Sequence, residues 1–263
     1  MKTLRYGDRN GDVLTLQELL GIAKDGIFGI KTKLAVQKYQ RECGLFPDGI
    51  VGEKTWAFLT ARTNMDGDIT IREAFINTHI TEARNRDIRY IAIHYTAGST
   101  SKVGAAYATR NVFLTRAASA DFVVDDGEIV QVNPDICNYY CWAVGDKKNP
   151  WTGGGGLYGQ ALNRNTVSIE ICSSLREGTS PQYPNHDGWS FTEASLRNAA
   201  KLVRYLMQKY NVPKDMVIRH YDISGKLCPG VIGWNEAPIY TTNGAQCARK
   251  STSEEWQKFK SLL

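Results

Sequence analysis

Three residues of metal-binding type stand near the ends of apolar runs in this 263-residue sequence. His94 ends the run that starts at Tyr90, and His220 follows the run that starts at Met216, with Cys228 shortly after it. Two imidazoles and one thiolate form a borderline-soft donor set that a tetrahedral zinc ion accepts, with its fourth position left open for water. The sequence therefore predicts a catalytic zinc site and a zinc hydrolase.

A carboxylate lies within another apolar run, Val167-Ser-Ile-Glu-Ile-Cys. Strand alternation puts Ser168, Glu170 and Cys172 on the face opposite the isoleucines. A carboxylate in such a strand is costly unless it is paired or functional, the alternative being a glutamate on a solvent-facing sheet surface. Because other strand ends supply candidate ligands, we predict that Glu170 is functional.

The elements that must position these side chains follow from hydrophobic periodicity. An amphipathic helix is predicted from Thr192 to Tyr210, and Asp125-Asp-Gly predicts the turn of a hairpin. The predicted fold is mixed α/β (α+β), with a central mixed β-sheet flanked by helices. Strand-like runs occupy residues 89–94, 120–124, 128–132, 167–172 and 216–220.

An internal repeat marks a separate N-terminal unit. Asp25-Gly-Ile-Phe-Gly-Ile-Lys-Thr recurs as Asp48-Gly-Ile-Val-Gly-Glu-Lys-Thr, and each copy predicts a tight turn feeding a helix. The repeat resembles the peptidoglycan-binding type 1 module, a small three-helix domain, which implies peptidoglycan as a partner. We predict this module at residues 1–61, a linker and pre-domain segment at 62–84, and the catalytic domain at 85–263.

Four runs that occur in order carry a second resemblance, to the zinc-dependent N-acetylmuramoyl-L-alanine amidases of the type 2 family. Peptidoglycan recognition proteins and many phage endolysins share that fold. The resemblance covers roughly residues 85–235 and implies one zinc ion held by His94, His220 and Cys228. It also implies hydrolysis of the amide between N-acetylmuramic acid and L-alanine of the stem peptide. The runs are Ile91-Ala-Ile-His-Tyr-Thr-Ala-Gly, Ser119-Ala-Asp-Phe-Val-Val-Asp, Asn165-Thr-Val-Ser-Ile-Glu-Ile-Cys and Arg219-His-Tyr-Asp-Ile-Ser-Gly-Lys-Leu-Cys-Pro-Gly.

Within this reading, Glu170 is the general base that activates water and then protonates the leaving amine. Lys226 faces the carbonyl oxygen and stabilises the oxyanion. Asp222 either supports a ligand from behind or caps a turn. Trp142 either shapes the substrate groove or belongs to the core. A competing mechanism uses Cys228 as a covalent nucleophile and predicts activity that resists chelators.

Two positions depart from the family pattern. Ala120 aligns where several members carry a tyrosine beside the zinc, so a tyrosine-assisted mechanism is not expected. Cys141-Trp-Ala-Val-Gly stands where many members have Ala-Trp-His-x-Gly, so Ala143 removes one polar contact to the substrate. Four smaller expectations are surface positions for His79 and His186, thiols rather than a disulfide at Cys137 and Cys141, a mobile loop at residues 153–156, and a capped helix at residues 251–259.

Composition narrows the functional classes. The net charge is +5 and the basic residues form no run, so nucleic acid is not an expected partner. The sequence contains neither a membrane-spanning apolar stretch nor an N-terminal signal peptide. We therefore expect a protein made in the cytoplasm that acts on the cell wall after release, as an endolysin or autolysin does. The alternatives are a noncatalytic peptidoglycan recognition protein and a secreted interbacterial amidase toxin.

Overall fold

The computed structural model describes residues 2–42, 45–61, 69–98, 100–145, 147–149, 151–247 and 253–263. None of the helices in these ranges is long and apolar enough to cross a membrane. The helices are α1 (Gly11–Leu19), α2 (Ile30–Glu42), α3 (Glu53–Ala61), α4 (Ala105–Val112), α5 (Glu193–Tyr210), α6 (His220–Ser224) and α7 (Glu254–Ser261). The strands are β1 (Ile71–Glu73), β2 (Ile80–Glu82), β3 (Tyr90–Tyr95), β4 (Phe122–Val124), β5 (Ile129–Gln131), β6 (Tyr139–Cys141), β7 (Thr166–Ile171), β8 (Ser174–Leu175), β9 (Trp189–Ser190), β10 (Val217–Arg219), β11 (Ile239–Tyr240) and β12 (Gln246–Cys247).

In each copy of the N-terminal repeat, a buried glutamine at the equivalent position holds the turn against the helix that follows. Gln17 Nε2 donates to Asp25 Oδ1 at 2.6 Å and to Thr32 Oγ1 at 3.1 Å, while its Oε1 accepts from the backbone N–H of Asp25 and Gly26. These bonds join the Asp-Gly turn to the start of α2. The polar groups of the motif are therefore used inside the module. The second copy repeats the arrangement with Gln40, Asp48, Gly49 and Thr55.

The central sheet is mixed, as predicted. Its strand order is β1-β5-β4-β7-β3-β10, and β4–β5 is an antiparallel pair while the other neighbours are parallel. The predicted helix is α5, where Thr192 accepts from the Ser195 N–H as the N-cap. The first strand of the sheet, β1, precedes residue 85, at which we predicted the start of the catalytic domain. Residues 62–68 of the predicted linker lie outside the described ranges.

Strand alternation sorts β7 between the two faces of the sheet. Ile169 and Ile171 belong to the core cluster that α5 covers, whereas Cys172 belongs to the cluster that includes Ala106 of α4. Because helices cover both faces, β7 is buried almost throughout. Ser168 and Cys172 are therefore buried, and Glu170 is partly buried, with its Oε2 atom shielded from solvent.

Arg86 organises the loops beside the sheet. Its buried guanidinium lies 3.7 Å from Asp121 Oδ1 and donates hydrogen bonds of 2.6–3.0 Å to backbone carbonyls. One buried cation therefore joins the segment after β5 to the segment before β7. The carbonyls belong to Ile136, Tyr139, Asn163, Arg164 and Thr166.

The structure corrects several local expectations. His186 is buried, not on the surface, and its Nδ1 accepts from the Gly188 N–H. The C-terminal helix exists, but Ser253 does not cap it through its side chain, which instead accepts from Arg219 Nη1. His79 is only partly exposed. Cys137 and Cys141 are buried thiols, as expected.

The glycine-rich segment before β7 is anchored to α6. Thr152 Oγ1 donates to the Gly225 carbonyl at 2.6 Å, and the Gly155 N–H donates to the Tyr221 carbonyl at 2.9 Å. Gly225 has a φ of 77°, and a Cβ there would lie 2.6 Å from the Asn149 carbonyl oxygen. The segment that we expected to be mobile is thus hydrogen-bonded to the helix that begins with His220.

Candidate active site

The sheet topology brings the three predicted ligands to one edge. β3 and β10 are adjacent and parallel, with Arg219 opposite Ile93, so His94 and His220 leave the sheet side by side. Cys228 returns to the start of α6 because its carbonyl accepts a 2.9 Å hydrogen bond from the Tyr221 N–H. Residues that are far apart in the sequence therefore meet at the carboxyl ends of parallel strands, where open α/β sheets place their sites.

The geometry of this cluster fits a tetrahedral metal ion. His94 Nδ1 lies 3.0 Å from His220 Nδ1 and 3.7 Å from Cys228 Sγ, and the three ligand atoms all lie within 4.8 Å of one another. Ordinary zinc–nitrogen and zinc–sulfur lengths in a tetrahedron separate two nitrogens by about 3.3 Å and a nitrogen from a sulfur by about 3.6 Å. The residues present therefore fit the zinc ion that their types predict.

Burial keeps the two imidazoles neutral. It lowers the pKa of His94 well below its ordinary value, with electrostatic coupling to His220 as a smaller cause, and it lowers the pKa of His220 to about 3, helped by Lys226. A neutral imidazole is the form that binds a metal. Burial also raises the pKa of the Cys228 thiol to about 12, so a bound cation has to displace its proton.

Glu170 lies beside the ligands. It is the register partner of His94 across β7 and β3, and its Oε2 atom is buried without a hydrogen-bond partner among the described residues. Burial raises the pKa of this carboxyl to about 8, against the opposing charges of Lys226 and Arg116. A carboxyl group that titrates near neutral pH can both accept and donate a proton at working pH.

A groove of about 820 Å³ opens onto the cluster; we call it the main groove. His220 and the exposed Lys226 lie in its wall. Trp142 forms another part and is 44% exposed, so of its two predicted positions it occupies the groove and not the core. Its indole Nε1 donates to Thr81 Oγ1 at 2.9 Å, which fixes the ring at the surface. Among the described residues, the lining is Thr81, Ala117, Tyr140, Trp142, Ala143, Val144, Gly145, Lys147, Asn149, Asn163, His220, Ser224 and Lys226.

Asp222 makes the contacts of a capping residue. Its carboxylate accepts from the Arg219 backbone N–H at 2.7 Å and from the Arg219 guanidinium at 2.6 and 3.0 Å. It therefore fixes the position of Arg219, the residue that precedes His220. Ala120 is fully buried, and Ala143 lines the main groove, where a larger polar side chain would face the cavity.

The sequence reasoning missed several groove residues. Tyr140 lies in β6 and Trp142 directly follows it, two positions later. Because side chains alternate along a strand, both lie on the same face. That spacing was a usable signal. Lys147 and Asn149 come from the anchored segment before β7, and sequence periodicity gave no sign of them.

The fold and the site define a mixed α/β protein with a buried His–His–Cys cluster beside a glutamate. The sequence model of the family described as N-acetylmuramoyl-L-alanine amidase matches residues 84–231, and the chain belongs to this family. A model described as a peptidoglycan binding domain matches residues 9–59.

Similar proteins agree with this membership. N-acetylmuramoyl-L-alanine amidase XlyB of Bacillus subtilis (strain 168) is 34% identical over 141 residues, which are 53% of this chain and 36% of the relative. N-acetylmuramoyl-L-alanine amidase CwlH of the same strain is 33% identical over 144 residues, or 53% of this chain and 46% of the relative. The chain thus spans less than half the length of these curated relatives. Among solved structures, a mutant endolysin from Bacillus subtilis is 30% identical and matches 61% of this chain and 90% of that one, with a TM-score of 0.42.

Proposed function

We propose that this protein hydrolyses the amide between N-acetylmuramic acid and L-alanine of the peptidoglycan stem peptide, as an endolysin-type or autolysin-type enzyme. The observation that supports it most directly is the convergence of three buried ligand atoms beside a buried carboxylate, at the end of an open groove. Membership of the amidase family indicates which bond would be hydrolysed.

His94, His220 and Cys228 would hold one zinc ion. When bound, zinc supplies Lewis-acid polarisation of the scissile carbonyl and makes water more acidic. Glu170 would take a proton from the attacking water and deliver it to the leaving amine nitrogen, which becomes the free amino group of L-alanine. The Lys226 ammonium, exposed in the same groove, would face the negative charge that develops on the carbonyl oxygen.

The N-terminal module would hold the enzyme on its polymer. A tethered catalytic domain meets substrate at a high effective concentration, so modest binding by the module raises the rate on intact wall. Because Gln17, Gln40 and the motif aspartates bond inside the module, wall contacts would come from other side chains on its surface.

Digestion of purified peptidoglycan tests the proposal. We expect new N-terminal alanine, no new reducing sugar ends, loss of activity with a chelator, and recovery when zinc is added. New reducing ends would instead identify a glycosidase and refute the proposal. Activity that survives chelation would favour Cys228 as a nucleophile.

Two variants separate catalysis from binding alone. Glu170→Gln and His94→Ala should each abolish release of alanine, while binding to insoluble wall stays unchanged through the N-terminal module. If both variants keep the full biological effect of the wild type, the protein acts as a noncatalytic recognition protein. Lysis only when the protein is delivered from a neighbouring cell would favour the interbacterial toxin.

A further inference from the structure

The Nε2 atoms of the two imidazoles in the cluster are both buried, and neither has a hydrogen-bond partner among the described residues. In most metal sites a protein group accepts a hydrogen bond from the second ring nitrogen of a histidine ligand, and this contact fixes the ring. The orientation of His220 therefore depends on the backbone from which it projects. His220 is the first residue of α6, so the start of that helix sets the position of the ligand.

Arg219, the residue before His220, is anchored through both its backbone and its side chain. Its N–H donates to Asp222 Oδ2 at 2.7 Å, and its guanidinium donates to both oxygens of the same carboxylate at 2.6 and 3.0 Å. On the other side, Nη1 donates to the Trp234 carbonyl and, at 2.8 Å, to Ser253 Oγ. One buried guanidinium thus joins the first turn of α6 to the C-terminal part of the chain.

Two aromatic rings contact the same guanidinium. Arg219 Cζ lies 5.0 Å from the ring centroid of Tyr221 and 5.5 Å from that of Trp256. Both aromatic residues are buried, so the attraction between the cation and the rings is little screened by water. Because Trp256 belongs to α7, that helix contributes to the fixed position of Arg219.

The start of α7 is itself packed against the loop that follows the third ligand. The Trp256 N–H donates to the Gly233 carbonyl at 3.2 Å, and a Cβ at Gly233 would collide with Glu255. Gly233 has a φ of 90°, which favours glycine. The C-terminal partners of Arg219 all follow residue 231, where the match to the amidase family ends. Support for the start of α6 therefore comes from a part of this chain beyond the matched range.

We propose that Arg219 is a positioning residue for the metal ligand His220. Trp234, Ser253 and Trp256 hold its guanidinium, so the C-terminal part of the chain acts on the metal site through a single arginine. This inference rests on the zinc site of the proposed function, but not on the identity of the bond that is cut. If Arg219 were released, α6 would move the His220 imidazole relative to the other two ligands.

Zinc affinity, measured by competition with a chromophoric chelator, tests this role. Arg219→Met removes the charge and the hydrogen-bonding fork, and it should weaken zinc binding by about 10- to 100-fold. Arg219→Lys keeps the charge without the planar fork, so it should recover only part of the affinity. Ser253→Ala removes one partner of the guanidinium and leaves Asp222 in place, so it should weaken zinc binding less than Arg219→Met does.

Bound Co²⁺ gives a readout that lost stability alone does not change, because its visible absorption bands report the arrangement of its ligands. At saturation, the bands of Arg219→Met should differ in position and intensity from those of the wild type. Val203→Ala is the control, since it creates a cavity in the core that α5 covers and touches neither Arg219 nor the cluster. It should lower the stability and keep the wild-type zinc affinity and Co²⁺ bands.

The outcomes separate this proposal from the amidase function. Wild-type zinc affinity and Co²⁺ bands in both Arg219→Met and Ser253→Ala would overturn the positioning role and leave the amidase function standing. If Arg219→Met does not fold, wild-type affinity in both Arg219→Lys and Ser253→Ala would overturn it. An equal loss of affinity in Val203→Ala would also overturn it, because affinity would then follow overall stability. A wild type that binds neither metal would refute the zinc site and both proposals.

Discussion

Replacing Glu170 with glutamine should make the metal-free protein more stable while it abolishes activity. The carboxyl group is buried beside His94, and its Oε2 has no hydrogen-bond partner among the described residues. Burial therefore disfavours the ionised form in the folded state and raises the pKa of Glu170 from 4.5 to about 8. In the unfolded chain the same group ionises at its ordinary pKa.

The sign and size of the effect follow from this difference. Below pH 4.5 the carboxyl is protonated in both states, so it imposes no penalty on folding. Between pH 4.5 and 8 only the unfolded chain gains from ionisation, and the folded protein loses about 1.4 kcal/mol of stability per pH unit. At pH 7 the penalty is about 3 kcal/mol. Because the glutamine amide also lacks a partner there, we expect a net stabilisation of about 2 kcal/mol.

Chemical denaturation followed by tryptophan fluorescence measures this effect. Chelator-treated wild type and Glu170→Gln would be compared at several values between pH 4.5 and 8, with Glu177→Gln on an exposed loop as the matched control. At the acidic end, where the ionisation penalty is absent, the unpartnered amide should leave Glu170→Gln about 1 kcal/mol less stable than the wild type, and the advantage of the variant should appear and grow toward neutral pH. In the zinc-loaded enzyme the same variant should lose about 10²- to 10⁴-fold in kcat. An advantage that does not change with pH would refute the burial argument.

Two other perturbations probe the module and the groove. Gln40→Ala leaves Asp48, Thr55 and a turn N–H without their shared partner. The free energy of unfolding of the N-terminal module should therefore fall by about 3 kcal/mol. Hydrogen exchange in the full chain measures this change, with Gln182→Ala at an exposed position as the control. Lys226→Met should lower kcat by about 10- to 100-fold with unchanged zinc content, and an effect on KM alone would argue against a role at the oxyanion.

The candidate metal ligands could be predicted because each depends on local sequence. His94 and His220 end apolar runs of strand type, and parallel strands deliver their carboxyl ends to one edge whatever their order in the sheet. The fold class and helix α5 were predictable for the same reason, since strong periodicity and an N-cap threonine are local signals. The mixed sheet is confirmed, while the role of each site residue stays a prediction.

The remaining features depend on contacts that no local pattern encodes. Arg86 binds backbone carbonyls that lie 50 to 80 residues away in the sequence. Because every residue has a backbone carbonyl, the sequence does not indicate which of them Arg86 binds. Trp142 is 44% exposed, and its indole N–H donates to Thr81, which lies far from it in the sequence. His186 lies in a stretch of loop-forming residues, but a parallel bridge to Tyr240 accompanies its burial.

The use of backbone atoms as the partners of Arg86 has a consequence for the sequence variation that this fold can accept. Arg164 lines a cavity next to the main groove, while its carbonyl, like that of Asn163, accepts from the buried guanidinium of Arg86. Since every amino acid carries that carbonyl, the side chain at position 164 can be exchanged without loss of the hydrogen bond from Arg86, whereas the Asn163 side chain itself accepts from the backbone N–H of Ala143 and Val144. Variation at position 164 is therefore compatible with the Arg86 anchor, whereas loss of Arg86 would release the backbone at positions 163 and 164 together.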